Sequence, residues 1–411
     1  MSSEIKIRSK KLHKNNKKRL SLSEINNSTN KTKSHNSNLL LAQTRKNDEF
    51  YTLYSDIKSE LNHYTAYFAD KTIYCNCDNP VKSNFCKYFH QNFSKLKLNQ
   101  LIVTYLNPDT SKPTYMYVYK GGNDNNICDY NQKQIIGNGS FSSPTCINLL
   151  LKSDVIVTNP PFSLFRQYIH LLTLNQKKFI IVGNQNAITS KEVFSLFLNQ
   201  KIWYGYNKIK SFAKPDGSIQ RFGNIIWYTN LPVNRFVSVI NFSNKHFNQQ
   251  DYPVYINYPA FNISRIKDIP VDESINVTVA KNRIKEFQSV YQSDFKVRKI
   301  NEDKDIVYAS IKHPIYGVPI SFADYYYPVS DLNSEKDRNV ITIANKYEII
   351  GTDIKSVAEK IGIKPIGKKW LNLYLNQGNR GHYTANMKNL VLITDKGITK
   401  APFRRILIRE R

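Results

Sequence analysis

Ser153-Asp-Val-Ile-Val-Thr158, followed at once by Asn159-Pro160-Pro161-Phe162, is the stretch whose reading decides the fold. Asp154–Thr158 is a short apolar run between polar residues, the pattern of a strand covered on both faces. The prolines end it abruptly, because neither can donate to a ladder and each holds the residue before it extended. Ser163–Asn175 then has helical spacing, and Ser163 can cap it. Lys178–Gly183 reads as a strand, Ser190–Asn199 as a helix, and Ile202–Tyr206 and Ile225–Thr229 as strands. Strands alternating with helices predict an α/β sheet, mostly parallel. Such sheets bind ligands beyond the carboxyl ends of their strands.

The alternation also runs upstream. Asp56–Phe68 places Ile57, Leu61, Tyr64 and Phe68 on one helical face; Thr72–Cys77 reads as a buried strand, Asn84–Phe93 as a helix and Leu101–Tyr105 as a strand. Residues 107–145 read as loop-rich. Beyond about residue 232 the alternation fades: 252–272 is rich in Tyr, Pro and Asn, 273–335 mixes short strands with Lys and Arg, Asp353–Ile361 has helical spacing and Phe403–Ile408 reads as a strand. The expected division is a basic arm over 1–46, a catalytic domain over 47–235 and a further region over 236–411.

The chain has 411 residues and a formal net charge of +27, with 41% apolar residues, so it can bury a sizeable core. The charge suits a polyanionic partner. An AT-rich coding bias inflates Lys and Asn, but it does not account for the scarcity of Asp and Glu. Residues 1–46 carry twelve Lys and Arg against Glu4 and Glu24 and have little to pack, which reads as a disordered arm able to touch phosphates or simply to be solvated. No apolar run is long enough for a membrane span and no secretory leader is visible, and five cysteines do not make a disulfide framework. A cytoplasmic, nucleoid-associated setting is the expectation.

Asn159–Phe162 has a specific chemical use. An exocyclic amino group on a base is a weak nucleophile, because its lone pair is delocalised into the ring. Two acceptors on its hydrogens favour the pyramidal form; the Asn159 side-chain oxygen and the Pro160 carbonyl can be those acceptors. The prolines aim both, and Phe162 offers a face for stacking. In-line transfer from a sulfonium methyl then needs positioning and no metal. A base inside a duplex cannot reach such a pocket, so it must be rotated out, with the flanking phosphates gripped. Two weaker signals precede this one. Asp48-Glu-Phe-Tyr-Thr52 puts an aromatic and a hydroxyl at a helix entry. Tyr74-Cys-Asn-Cys-Asp-Asn-Pro80 ends a strand where a nucleotide-binding fold ordinarily has a Gly-rich turn; Asn76 and Asp78 can hydrogen-bond a donor instead. Cys75 and Cys77 have no second pair at metal-ligand spacing, so they read as buried strand cysteines.

Together these segments resemble the EcoRI-type adenine-specific DNA methyltransferases. The resemblance runs from about Asp48 to the C-terminus, through DEFYT (48–52), IYCNCDNP (73–80), SDVIVTNPPFSLF (153–165), KKFIIVGNQNAIT (177–189), WYTNL (227–231), YPVYINYPAFN (252–262), YGVPISF (316–322) and FRRILI (403–408). It implies a Rossmann-like S-adenosylmethionine-dependent sheet with helices on both faces, followed by a C-terminal α+β recognition region. It implies catalysis by Asn159, Pro160, Pro161 and Phe162, and donor binding by Phe50, Tyr51, Thr52, Asn76, Cys77, Asp78, Pro80 and Phe141. The implied reaction is methylation of the 6-amino group of a flipped adenine in double-stranded DNA, as the modification half of a type II restriction–modification system. A monomer suffices for it, with no obligate protein partner.

The chain departs from the family pattern in three places. The acidic Gly-Asp-Gly-Asp-Phe-like segment reads Gly137-Asn-Gly-Ser-Phe141, the paired aspartates after Cys77 read Asp78-Asn79, and residues 273–313 have no counterpart. The alternatives are methylation of an RNA base or a protein glutamine, which Asn-Pro-Pro-aromatic also serves, and a catalytically inactive DNA-binding relative, which the departures would suit.

Overall fold

The computed structural model describes residues 51–326, except 108, 110, 127–128, 215, 234–242 and 256–257, together with 346–351, 391–394, 397–400 and 405–411. Phe50, the arm over 1–46 and the helical reading of Asp353–Ile361 lie outside the described residues.

Strands β1 (Tyr51–Thr52), β2 (Thr72–Cys75), β3 (Gln100–Val103), β4 (Thr114–Tyr119), β5 (Asn131–Ile135), β6 (Val155–Thr158), β7 (Lys178–Asn184), β8 (Trp203–Ala213) and β9 (Ile219–Thr229) form one nine-stranded sheet. Their order is β1-β8-β9-β7-β6-β2-β3-β4-β5. Helices α1 (Tyr54–Leu61), α2 (Asn84–Gln91), α3 (Pro144–Lys152), α4 (Phe165–Leu174) and α5 (Lys191–Leu198) intervene. The four central strands, β3-β2-β6-β7, are parallel, and all four residues of β2 and of β6 are buried, as continuous apolar runs require.

The expectation of a mostly parallel sheet holds only at this centre. β4 and β5 extend one side antiparallel, and β9, β8 and β1 extend the other through antiparallel pairs, so the sheet is mixed. The loop-rich reading of 107–145 is corrected for the same reason: β4, buried or half-buried, pairs antiparallel with an exposed β5 whose polar sequence, Asn-Gln-Lys-Gln-Ile, shows no apolar alternation. β8 and β9 are about twice the length read from their apolar cores, because their far ends continue the hairpin: β9 there carries exposed or half-buried residues, while Ile209 and Phe212 of β8 stay buried. Ser163 does not cap a helix. Phe162–Leu164 form a 3-10 turn, α4 begins at Phe165, and Ser163 is exposed.

Helix positions follow from packing and capping. α2 has Ser83 as N-cap, its hydroxyl accepting from Phe85 N, and buries Phe85, Tyr88 and Phe89. α4 lies so close to β7 that a Cβ on Gly183 would stand 2.3 Å from the Phe165 ring.

Beyond residue 233 lie three smaller sheets. β10 (Phe261–Asn262), β14 (Ile315–Pro319), β18 (Arg405–Glu410) and β15 (Tyr347–Gly351) form one, in the order β10-β14-β18-β15. β11 (Ser274–Ala280), β13 (Ile306–Lys312) and β12 (Phe295–Asn301) form another, in the order β11-β13-β12, with α6 (Ile284–Tyr291) between the first two strands in sequence. β16 (Val391–Thr394) and β17 (Gly397–Lys400) pair as a hairpin. Among the described residues, no helix is long and apolar enough to cross a membrane.

Candidate active site

The central order of the sheet creates the site. β2 has β3 on one side and β6 on the other, all parallel, so the segments leaving β2 and β6 diverge at one point and open a crevice at their carboxyl ends. Asn76-Cys-Asp78 leaves β2 there and Asn159-Pro160 leaves β6. Thr158, the last residue of β6, joins them: its hydroxyl accepts from Cys77 N at 3.2 Å and donates to the Asp78 carboxylate. The other Asp78 oxygen accepts from Ser83 Oγ at 2.7 Å, and the Asn159 backbone N–H also reaches this carboxylate. Asp78 is buried, and burial pushes its pKa up to about 6 although its hydrogen-bond donors pull it down.

The donor-side residues gather around that knot. Asn76 Oδ1 accepts from Tyr168 Oη on α4, and Phe141 stands edge-on to the Tyr168 ring, centroids 4.9 Å apart. The Gly137–Phe141 segment reaches the crevice because Gly139, at φ 75°, packs onto Tyr105 just past β3, where any Cβ would meet Tyr105 O at 2.1 Å. Asn79 Oδ1 accepts from Val81 N and Lys82 N, at 3.0 and 3.1 Å, so the side chain standing where the family has a second aspartate shapes the turn into α2. Pro80 is buried in that turn.

Tyr51 and Thr52 form β1, which pairs with the end of β8 through Tyr51↔Ala213 and Thr52↔Phe212. Phe212 in turn stands edge-on to Phe162 at 6.0 Å. The first segment and the Asn-Pro-Pro-Phe turn, 107 residues apart between Thr52 and Asn159, are therefore brought together by β8. Asn159, Pro161 and Phe162 are half-buried and Pro160 is buried, as suits a turn that must meet a ligand.

Among the buried polar atoms that have no hydrogen-bond partner among the described residues are Thr52 Oγ1 and Asn76 Nδ2 at this site, in side chains 2% and 1% exposed. Leaving such groups unsatisfied costs about 1–3 kcal/mol each, so both fit a polar ligand. Cys75, Cys77 and Cys86 are free thiols that burial pushes up, and no group of three His, Cys, Asp or Glu among the described residues is arranged to hold a metal ion.

The sequence reading missed Thr158, Ser83, Tyr168 and Phe212. Thr158 carried a signal, since a hydroxyl closing an all-apolar strand beside Asn-Pro has to find a partner. Phe212 carried none, because nothing local says that its strand will fold back onto Phe162.

The chain matches the family described as adenine-specific methyltransferase EcoRI over residues 38–410. It is 37% identical to the type II methyltransferase M.EcoRI of Escherichia coli, over 64% of this chain and 90% of that protein. It is 33% identical to the type II methyltransferase M.MpnI of Mycoplasma pneumoniae, over 56% of this chain and 76% of that protein. A third relative, the type II methyltransferase M.MgeORF184P of Mycoplasma genitalium, is also 33% identical, over 56% and 77%. No solved structure matches. With most of the chain matched and the Asn-Pro-Pro-Phe turn set at the switch point of a large mixed sheet, the chain belongs to the EcoRI family of adenine-specific methyltransferases.

Proposed function

We propose that this enzyme moves a methyl group from S-adenosylmethionine to the exocyclic 6-amino group of an adenine rotated out of duplex DNA, as the modification half of a type II restriction–modification system. It acts as a monomer in the cytoplasm, bound to the nucleoid. Asn159 Oδ1 and the Pro160 carbonyl accept from the two amino hydrogens, and Phe162 stacks on the ring. The donor supplies an electrophilic methyl on a positively charged sulfur. Thr52 and Asn76 hold it through the buried atoms that lack protein partners, with Tyr51, Cys77, Pro80 and Phe141 lining the site and Phe50 preceding it in sequence. Asp78 contributes less to the donor than to the turn, since Thr158, Ser83 and the Asn159 backbone already engage its carboxylate. It is a positioning residue for Asn159. The amino nitrogen would gain the methyl carbon as the carbon–sulfur bond breaks with its electron pair left on sulfur, and the surplus proton would pass to solvent, with no metal invoked.

The observation that carries this reading is the Thr158 hydroxyl, which ties the residues leaving β2 to the turn leaving β6. The order β8-β9-β7-β6-β2-β3, with β9 antiparallel between two strands of opposite direction to it, supports a Rossmann-like methyltransferase sheet over 47–235. Residues 236–411 are read as the target-recognition region. Asp324 supports their docking on the catalytic sheet through Lys208 Nζ at 2.6 Å and Gln185 Nε2 at 3.4 Å.

Transfer of tritium from labelled donor to duplex DNA, single strands, RNA and protein tests the substrate class. Label should enter duplex DNA as 6-methyladenine. Asn159→Ala should lower turnover about a hundredfold or more while duplex binding persists. Normal turnover in that variant, or preferred labelling of RNA or protein, overturns the reading.

A further inference from the structure

Residues 273–313, read from the sequence as lacking a family counterpart, lie inside the span 38–410 that the family matches; within them β11, α6, β12 and β13 make a three-stranded antiparallel sheet with one helix. Its two faces differ. Ile275, Val277, Val279, Val307, Ala309 and Ile311 alternate on the inner face and are buried with Phe287 and Tyr291 of α6. The register puts Asn276, Thr278, Tyr308 and Lys312 on the outer face, where Tyr308, on the middle strand, is 40% exposed.

The edge strand β12 has a bulge between Val297 and Lys299. Without it, Lys296 and Lys299, three residues apart, would point to opposite faces. With it, Lys296 pairs with Ser310 and Lys299 with Tyr308, both outer-face positions, so the two cations stand on the same side of the sheet and flank the exposed ring. The bulge residue Arg298 is exposed beside them. None of these three cations forms an ion pair among the described residues. The neighbouring acids lie elsewhere: Glu273 pairs with Lys312 at the far end of β13, Glu302 pairs with Lys281, and Asp303 and Asp305 stay in the β12–β13 turn. No outward-facing strand position holds an acid. A lysine on an edge strand is enough to discourage strand pairing. Re-aiming a second lysine onto the face of an exposed tyrosine does nothing for that purpose.

We propose that this outer face is an auxiliary DNA-binding surface. Lys296, Arg298 and Lys299 contact phosphates of the duplex outside the methylated site, and Tyr308 lies against the sugar–phosphate backbone between them. The occupant is identified by charge: a face with free cations, amide and hydroxyl donors and no acid at its strand positions, met only at its Lys312 end by Glu273, complements a polyanion and repels a basic partner such as a second copy of this chain. The surface rests on the duplex substrate proposed above, and it contributes affinity and residence on DNA without touching the target base.

The test is duplex binding by the full chain at several salt concentrations, comparing wild type with K296E/R298E/K299E and with the milder K296Q/R298Q/K299Q. Charge reversal should raise Kd at least about tenfold near 100 mM salt, and in both variants the slope of log K against log salt should fall by about 3, one for each lost phosphate contact. Turnover at saturating DNA should stay within about twofold of wild type, since none of the three belongs to the Asn-Pro-Pro-Phe turn or to the donor-side residues. An unchanged slope with Kd within twofold in both variants overturns the proposal, as does an unchanged slope accompanied by a change in oligomeric state. The two readings fail separately. A wild-type protein that labels RNA or protein but binds duplex with this charge-dependent slope sinks the proposed reaction and leaves the surface standing; normal DNA methylation with no slope change does the reverse.

Discussion

Asp78 is an acid in a place that disfavours charge. Burial lifts its pKa to about 6, against 3.8 for the unperturbed group, while the hydroxyls of Thr158 and Ser83 and the Asn159 N–H partly compensate. A raised folded-state pKa means that the native protein binds the proton more tightly than the unfolded chain does. The stability from this group is therefore complete below about pH 4 and is lost as pH rises through about 6. The full swing is about 3 kcal/mol, from roughly 1.4 kcal/mol per pH unit. Asp78→Asn should lessen that decline: urea midpoints at pH 5 and pH 7 should lie closer together in the variant than in wild type, with Glu60, whose pKa burial also raises, supplying part of what remains. Turnover should nonetheless fall in Asp78→Asn, because an amide cannot accept from both hydroxyls and the Asn159 N–H together. A variant that keeps the wild-type pH dependence of stability would show that another group titrates. Thr158→Val tests the same knot from the other side. It leaves Cys77 N–H without its acceptor and Asp78 with one donor fewer, at a cost of about 1–3 kcal/mol in urea unfolding.

At the scale of the element, β8 shows why part of the site was legible in the sequence and part was not. The buried strand before Asn159 and the strand before Asn76 are short apolar runs, and local pattern alone places them and their turns. β8 depends on a distant carboxylate. Its pairing with β9 breaks between Tyr204 and Lys208, and Glu60 of α1 takes up the freed amides, accepting from Tyr206 N and Asn207 N at 2.8 Å, from Asn207 Nδ2 at 3.0 Å and from Tyr64 Oη at 2.9 Å. Glu60 falls on the apolar face of its helix, three residues after Ile57 and four before Tyr64, but nothing local says which distant amides its carboxylate will meet. Gly205 makes the approach possible, since a Cβ there would stand 2.1 Å from Glu60 Oε1 and 2.6 Å from Trp227 Cβ. Further along the same strand, Phe212 supports Phe162 and pairs with Thr52, so a disturbed bulge is felt at the site. Glu60→Gln, which turns an acceptor into a donor among donors, should cost about 1–3 kcal/mol in urea unfolding, and Gly205→Ala at least about 2 kcal/mol. Both should also weaken donor binding through Thr52. Wild-type stability in either variant would mean that the bulge holds without the carboxylate.

Over the whole molecule, charge is distributed as if affinity and specificity were assigned to different segments. Of the formal +27, residues 1–46 carry +10, and the remaining +17 lies on residues 47–411, which also carry the site. Phosphate contacts hold a protein in register on a duplex and carry no sequence information; base contacts do the reading. Removing residues 1–46 should therefore lower affinity for any duplex by about tenfold or more at low salt, and reduce the salt slope by up to about 9, if every net charge meets a phosphate. The ratio of specific to non-specific affinity should not change, nor should turnover at saturating DNA, because the Asn-Pro-Pro-Phe turn, the donor-side residues and the described sheets all lie outside the deletion. Titrating fluorescent duplexes with and without a methylatable site, at three salt concentrations, measures all of these quantities together. A deletion that lowered specific binding while sparing non-specific binding would place sequence reading in the arm, and would take that role away from residues 236–411.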